Sequence, residues 1–283
     1  MKKILVPCDF SKPAINAFRY ACDIAAKAKA TVHVINVIEL PVLHDTVLMP
    51  VLSFEAALME ELKEKTEKQF KKLKEKYKVE GVKIVSGLEF GPVWRSMLTY
   101  VQKHGIDLIV MGSHGASGLR EVVIGSNAEK LVRKSPIPVL VVKSYFKGAI
   151  KNIVFPNTLD TEHQEDLVMK VKELQDFFKA KLHIVHINTP LNFTSDDVTY
   201  ARLKAFAKKF MFKNHTLNVY NHSDGEEGIL HFTEKVKGDM IAIGTHGRKG
   251  LAHLLNGSLA EDVANHTDRL IWTYSLKNEP GES

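Results

Sequence analysis

The chain has 283 residues, 45% of them hydrophobic and 25% charged, with a formal net charge of +6. That length suits two domains of ordinary size, each able to bury its own core. The balance is that of a soluble globular chain, and no apolar run reaches the roughly 18 residues that a membrane span needs.

The charge is uneven. Residues 1–148 carry 23 Lys and Arg against 15 Asp and Glu, while residues 149–283 carry 16 against 18. Much of the excess lies between Lys63 and Lys83, where lysines alternate with glutamates. Without interleaved aromatics or an arginine cluster, that run reads as the solvated face of a long helix, so neither nucleic acid nor membrane is expected as a partner. Met1-Lys2-Lys3 leads straight into a short strand with no apolar region long enough for a signal peptide, which points to a cytoplasmic start. Cys8 and Cys22 are the only cysteines, as expected in a reducing compartment with no disulfide framework.

In chain order, Ile4-Leu5-Val6 is a short buried strand ending at Pro7-Cys8-Asp9-Phe10-Ser11. Ser11 caps the next helix, in which Pro13 is tolerated and Ile15, Phe18, Cys22 and Ala25 share one face. Thr31 to Val37 is β-branched and forms the second strand. A loop from Glu39 to Leu52 with Pro41 and Pro50 precedes a long helix, roughly Ser53 to Tyr77. Val82 to Val85 is the third strand, Gly91-Pro92 opens a helix that stops near Gly105, and Ile106 to Met111 is the fourth strand. A helix from Asn127 to Arg133, a turn between Pro136 and Pro138, and a fifth strand at Val139 to Val142 complete the unit, before a linker at Ser144 to Gly148.

The order then begins again. Ile153 to Pro156 matches Ile4 to Pro7, followed by a helix from about Thr161 to Lys179, with Thr161 and Gln164 spaced as a capping box. Leu182 to Ile187, Leu217 to Tyr220, Met240 to Ile243 and Leu270 to Tyr274 read as strands; Ser195 to His215 and Gly228 to Lys237 read as helices. Strands alternating with helices predict parallel sheets covered on both faces. The prolines of the two copies lie 149 residues apart but their glycine motifs only 132 apart, so the second copy is shorter by 17, mostly around the 40–57 loop. The architecture is a duplicated α/β unit.

Each fourth strand delivers the same glycine pattern. Gly112-Ser113-His114-Gly115, nine residues and Gly125-Ser126 recur as Gly244-Thr245-His246-Gly247, nine residues and Gly257-Ser258, with seven positions identical across the two 15-residue windows. Strand, glycine-rich loop and helix N-terminus make an anion cradle, because glycine admits close backbone approach and the first N–H groups of a helix favour phosphate. In an open α/β sheet the ligand lies beyond the carboxyl ends of the strands, where Asp9, Val37 and Gly112 converge. Gly112 and Gly115 let the loop pass close to ribose and phosphate, while Gly125 and Ser126 hold the terminal phosphates. Asp9 accepts from ribose hydroxyls, faces a phosphate-bound Mg²⁺ through water, or caps the following helix. His114 and His246 lack a carboxylate or nucleophile partner in sequence and read as loop-ordering residues; no base is evident that would make Ser126 a nucleophile. Nine of the 13 histidines lie in the second half, but His183 and His186 point to opposite faces of a strand and no cluster has zinc spacing, so no metal site is expected.

These residues resemble the universal stress protein family. Its ATP-binding signature, Gly-x2-Gly-x9-Gly-Ser/Thr, stands at Gly112/Gly115/Gly125/Ser126 and again at Gly244/Gly247/Gly257/Ser258. Pro7 to Ser11 and Pro138 to Val142 also match its pattern. The resemblance implies a Rossmann-like, adenine nucleotide alpha hydrolase-like fold in two tandem repeats, 1–145 and 149–283. Each is a five-stranded parallel sheet with helices on both faces, and the two pair through their last strands as an intramolecular pseudo-dimer, with a further homodimer left open. It implies ATP with Mg²⁺ as ligand, contacted by Pro7, Asp9, Val37, Met111, Gly112, His114, Gly115, Gly125, Ser126 and Asn127 in the first repeat. In the second the contacts are Ile187, Gly244, Gly247, Gly257 and Ser258. There Thr158 replaces Asp9, Arg248 and Lys249 enter the loop, and strand five lacks the prolines. Three functions follow: a non-enzymatic ATP-binding stress or signalling protein, a slow ATPase, or a scaffold of this fold that binds no ATP. No residue is nominated to position a hydrolytic water.

Overall fold

The computed structural model describes residues 1–39, 50–114, 125–160, 164–245 and 258–276, with backbone alone at 50–56, 258, 259, 261 and 262. The first repeat runs β1 (Lys3–Pro7), α1 (Lys12–Ala28), β2 (Thr31–Ile38), α2 (Pro50–Lys76), β3 (Lys83–Phe90), α3 (Val93–His104), β4 (Leu108–Gly112), α4 (Ser126–Lys134) and β5 (Val139–Val142). The second runs β6 (Asn152–Pro156), α5 (Glu165–Phe178), β7 (Lys181–Asn188), a 3-10 turn at Pro190–Asn192, α6 (Asp196–Lys209), β8 (His215–Asn221), α7 (Gly225–Lys235), β9 (Met240–Thr245), α8 (Ser258–His266) and β10 (Leu270–Ser275).

All ten strands form one sheet in the order β3-β2-β1-β4-β5-β10-β9-β6-β7-β8. Within each repeat neighbouring strands are parallel. Among the described residues the single antiparallel pairing is the seam, where Val141, Leu140 and Val139 of β5 face Ile271, Trp272 and Thr273 of β10. The expected pseudo-dimer is therefore a continuous sheet.

Alternation along the buried strands divides the core in two. Ile4 and Val6 pack with Phe18 of α1, Phe70 of α2, Val168 of α5 and Phe206 of α6 on one face. Leu5 packs with Met97 of α3, Leu131 of α4, Phe232 of α7 and Val263 of α8 on the other. Two carboxylates lace the repeats at the opposite end of the strands from the glycine loops. Asp107 Oδ2 accepts from the Lys2 and Lys3 amides at 2.5 and 2.9 Å, and Asp239 Oδ2 accepts from those of Lys151 and Asn152 at 2.8 and 2.9 Å.

Several boundaries depart from the sequence reading. β3 continues to Phe90, well past Val85, pairing with β2 as far as Ile38, with Gly87 opposite Ile35 where a Cβ would stand 3.1 Å from the Ile35 side chain. α5 begins at Glu165, with Gln164 at its N-cap position. Gln164 Oε1 accepts from Nδ2 of Asn157, just beyond β6, at 2.7 Å; Thr161, the other half of the expected capping box, lies outside the described residues. α6 ends at Lys209 rather than His215, since Met211 and Asn214 turn with φ of 50° and 45° and His215 already belongs to β8. α7 starts earlier than expected, where Asp224 Oδ1 caps the Glu227 amide at 2.9 Å. The linker is strapped to α1: Tyr145 donates to Asp23 at 2.7 Å, and the Arg19 guanidinium sits 3.7 Å over the Tyr145 ring.

Candidate nucleotide site

The site of the first repeat begins where β1 stops. The Cys8 amide still donates to Ile35 of β2 at 2.9 Å, after which Phe10, at φ 65°, turns the chain into α1. Asp9 Oδ1 accepts from the Ser11 amide at 3.0 Å and Ser11 Oγ accepts from that of Ala14 at 3.4 Å, so a pair of short polar side chains fixes the turn. Asp9 stays exposed on the crevice side. From β2, Asn36 Nδ2 donates to the Cys8 carbonyl at 2.8 Å and holds the strand end in place.

β4 brings Met111 and Gly112 to the same edge. A Cβ on Gly112 would stand 2.8 Å from the Pro13 carbonyl carbon and 3.0 Å from the Ala14 nitrogen. The glycine has a packing reason as well as the expected ligand approach: the first turn of α1 presses on the strand here. Ser113 is buried, with its Oγ 3.0 Å from His114 Nδ1, and its carbonyl accepts from Gly125 at 2.8 Å. That bond draws the two ends of the glycine loop together. Gly125 is the N-cap of α4 and offers no side chain to its amides. The first N–H groups of α4 therefore face the crevice as a partial positive charge. Glu129, the acid of the first turn, is paired with Arg133 at 3.4 Å.

Together Pro7, Asp9, Val37, Met111, Gly112, His114, Gly125, Ser126 and Asn127 line one cleft of about 190 Å³. Gly115 lies outside the described residues. Cys8, Asn36, Val93 and Met97 line the cleft as well and escaped the sequence reading; of these only Asn36, a polar residue at the crevice end of β2, carried a signal. Burial pushes the Cys8 thiol up to about 12, opposed by its hydrogen bond with Phe10 and reinforced by the Asp9 charge, so this cysteine stands as a neutral wall.

The second repeat reuses the frame with other chemistry. The Asn157 amide donates to Val185 at 2.9 Å, and Leu159 takes φ 65° as Phe10 does. The turn is made one residue earlier, with Asn157 Oδ1 accepting from Leu159 at 2.7 Å. Thr158 holds the Asp9 position; its carbonyl accepts from Arg202 at 3.1 Å, and its hydroxyl is sealed without a partner. Ile187 is buried, and a Cβ on Gly228 would come within 2.7 Å of its Cγ2. A Cβ on Gly244 would meet Leu167 Cδ2 at 2.6 Å, the counterpart of the Gly112 contact. Gly247 and Gly257 lie outside the described residues; Ser258 opens α8. His183 bonds Thr216 and Asn152, and His186 bonds the Asn157 carbonyl from the other face.

Fold and site together define a class: two fused parallel α/β units, in each of which the fourth strand is followed in the sequence by a glycine motif and a helix start. The sequence pattern of the universal stress protein family matches residues 1–143 and again 149–269, and the chain belongs to that family. Two universal stress proteins of Methanocaldococcus jannaschii are similar to it, 34% identical over 142 residues and 31% over 153. Each match takes in 50% of this chain and 82% or 94% of the relative. The crystal structure of a universal stress protein from Archaeoglobus fulgidus superposes over 98% of this chain and 97% of its own, with a TM-score of 0.72 at 18% identity. That likeness is one of fold.

Proposed function

We propose that the chain is an ATP-binding universal stress protein whose first repeat holds the nucleotide with Mg²⁺ and acts through binding rather than turnover. The observation that carries this reading is the meeting, across one cleft, of the exposed Asp9 carboxylate with the N-terminus of α4, which no side chain among the described residues caps. A helix start without a side-chain cap suits a phosphate tail, and a carboxylate suits ribose hydroxyls or a hydrated cation. The cleft is smaller than the roughly 300–1,000 Å³ of drug-sized sites, and residues 115–124 lie outside the described residues. In this reading Pro7, Val37 and Met111 flank the base, while Gly125, Ser126 and Asn127 meet the phosphates. Bound Mg²⁺ would supply charge neutralisation of the phosphates and nothing further.

The second repeat, with Thr158 for Asp9, is the weaker site of the pair. The units divide at 1–145 and 149–283, and two free, buried cysteines accord with a cytoplasmic protein. Calorimetric titration of the whole chain with Mg-ATP is the test. Saturable binding at one strong site, weakened about tenfold by Asp9→Ala, is expected; that factor is about 1.4 kcal/mol. A flat titration overturns the proposal in favour of the scaffold.

A further inference from the structure

The two faces of the β5–β10 seam are closed differently. On the α4/α8 side, Thr245 Oγ1 donates to the Val132 carbonyl at 3.2 Å, Ser275 Oγ donates to that of Arg133 at 3.2 Å, and Lys143 Nζ donates to that of Asn265. On the other side α1 and α5 leave a cleft of about 810 Å³ over the seam. Ile24 of α1 and Leu174 and Phe178 of α5 form its walls, with Leu140 of β5 and the rings of Trp272 and Tyr274 as its floor. At the matching places on β5 stand Leu140 and Val142, so the aromatic floor is a feature of the second repeat alone.

Trp272 and Tyr274 are 2% and 6% exposed, and their rings stack at 21° with centroids 6.3 Å apart. Neither the indole N–H nor the phenol hydroxyl has a hydrogen-bond partner among the described residues. Neither is one of the sealed orphans there, which are Thr158 Oγ1 and Thr189 Oγ1, so neither donor is fully sealed, and both residues line the cleft. Buried donors of this kind are as a rule satisfied, by protein, water or ligand. Around the Tyr274 hydroxyl the carboxylates of Asp166 and Glu173 outnumber the Lys170 ammonium, itself paired with Glu173 at 2.9 Å. That field disfavours an anion.

We infer that this cleft is a second ligand site, separate from the nucleotide crevice, for an uncharged, planar, largely apolar molecule carrying a hydrogen-bond acceptor. The acceptor meets Trp272 Nε1–H and the Tyr274 hydroxyl, and the flat body lies over their rings beneath Ile24 and Phe178. The volume falls within the range of drug-sized sites.

Nile red, neutral and planar with a carbonyl acceptor, is the probe. Titrated into the full chain, it is expected to bind saturably at one site per chain and to quench Trp272 emission while leaving that of Trp94. Tyr274→Phe removes an oxygen with no hydrogen-bond partner among the described residues, so its melting temperature stays as in the parent while Nile red binds about fivefold more weakly, the worth of one hydrogen bond. Leu174→Trp fills the cleft and abolishes binding. Non-saturable uptake, or affinity unchanged in both Tyr274→Phe and Trp272→Phe, overturns the inference whether or not Leu174→Trp folds. So does tighter binding of the anionic dye anilinonaphthalene sulfonate at the same site, and so does a concentration-dependent dimer that expels Nile red, which would give the cleft to a second copy of the chain.

Discussion

His186 Nδ1 donates to the Asn157 carbonyl at 3.1 Å in the place where Asn36 Nδ2 donates to the Cys8 carbonyl at 2.8 Å. Both bonds pin the residue after the strand proline to the neighbouring strand. One uses an amide that never ionises, the other an imidazole that can. Burial holds His186 below its ordinary 6.5, aided by Arg202 and opposed by the bond to Asn157. Burial likewise lowers His183, with Lys181, and His33, with His104, Lys3 and Lys83.

The sign of the pH dependence follows. Below about 6.5 the unfolded chain takes up protons that these buried rings refuse, so stability is full above that pH and is lost as pH falls toward the folded values. Melting temperature is expected to drop between pH 7 and pH 5. His186→Asn, which installs the first repeat's solution, flattens that slope; thermal melts across the range check it, and an unchanged slope would remove His186 from the account.

The motif glycines differ in what they tolerate. Gly112→Ala drives a methyl into the Pro13 and Ala14 backbone at 2.8 to 3.0 Å and is expected to cost about 2 kcal/mol with no nucleotide present. Gly244→Ala meets the end of the Leu167 side chain at 2.6 Å, which can rotate away, and costs less than half as much. Urea unfolding of the two variants gives the comparison.

Asp239→Ala removes the acceptor for two backbone amides at the start of β6, and Asp107→Ala does the same for β1. Each loss is expected to cost about 1–2 kcal/mol, since charge-assisted bonds to amides exceed neutral ones. Chemical denaturation at neutral pH measures it.

Neither cysteine should alkylate in the native state. Burial, joined by the Asp23 charge, lifts Cys22 to about 12 as burial and Asp9 lift Cys8, and thiolate is the reactive form. Iodoacetamide at pH 8 is expected to label both only after unfolding, as intact-mass spectra would record.

Strand-helix alternation, the duplication and the meeting of Asp9, Val37, Gly112 and Ser126 at one crevice were all legible in the sequence, because apolar periodicity and glycine spacing are local signals. What escaped it depended on contacts across the fold. Phe210 and Phe212 continue an apolar pattern, so α6 read too long until the positive φ of Met211 and Asn214 ended it. Gln164 bonds Asn157, just past the end of β6, a contact that no local spacing announces. The packing reason for Gly112 lies in Pro13, 99 positions away in the chain and invisible to any motif. Residues 40–49, 115–124 and 246–257, on which part of the site reading falls, lie outside the described residues.

Fusing the units has an evolutionary consequence at the antiparallel join of Val139–Val141 with Ile271–Thr273. A separate subunit must remain self-complementary, so every substitution strikes both members of a symmetric pair. Here each half always meets the other, tethered and near, and the two are free to specialise. One arm can keep a carboxylate while its sibling takes threonine, and one can carry tryptophan where its sibling carries leucine.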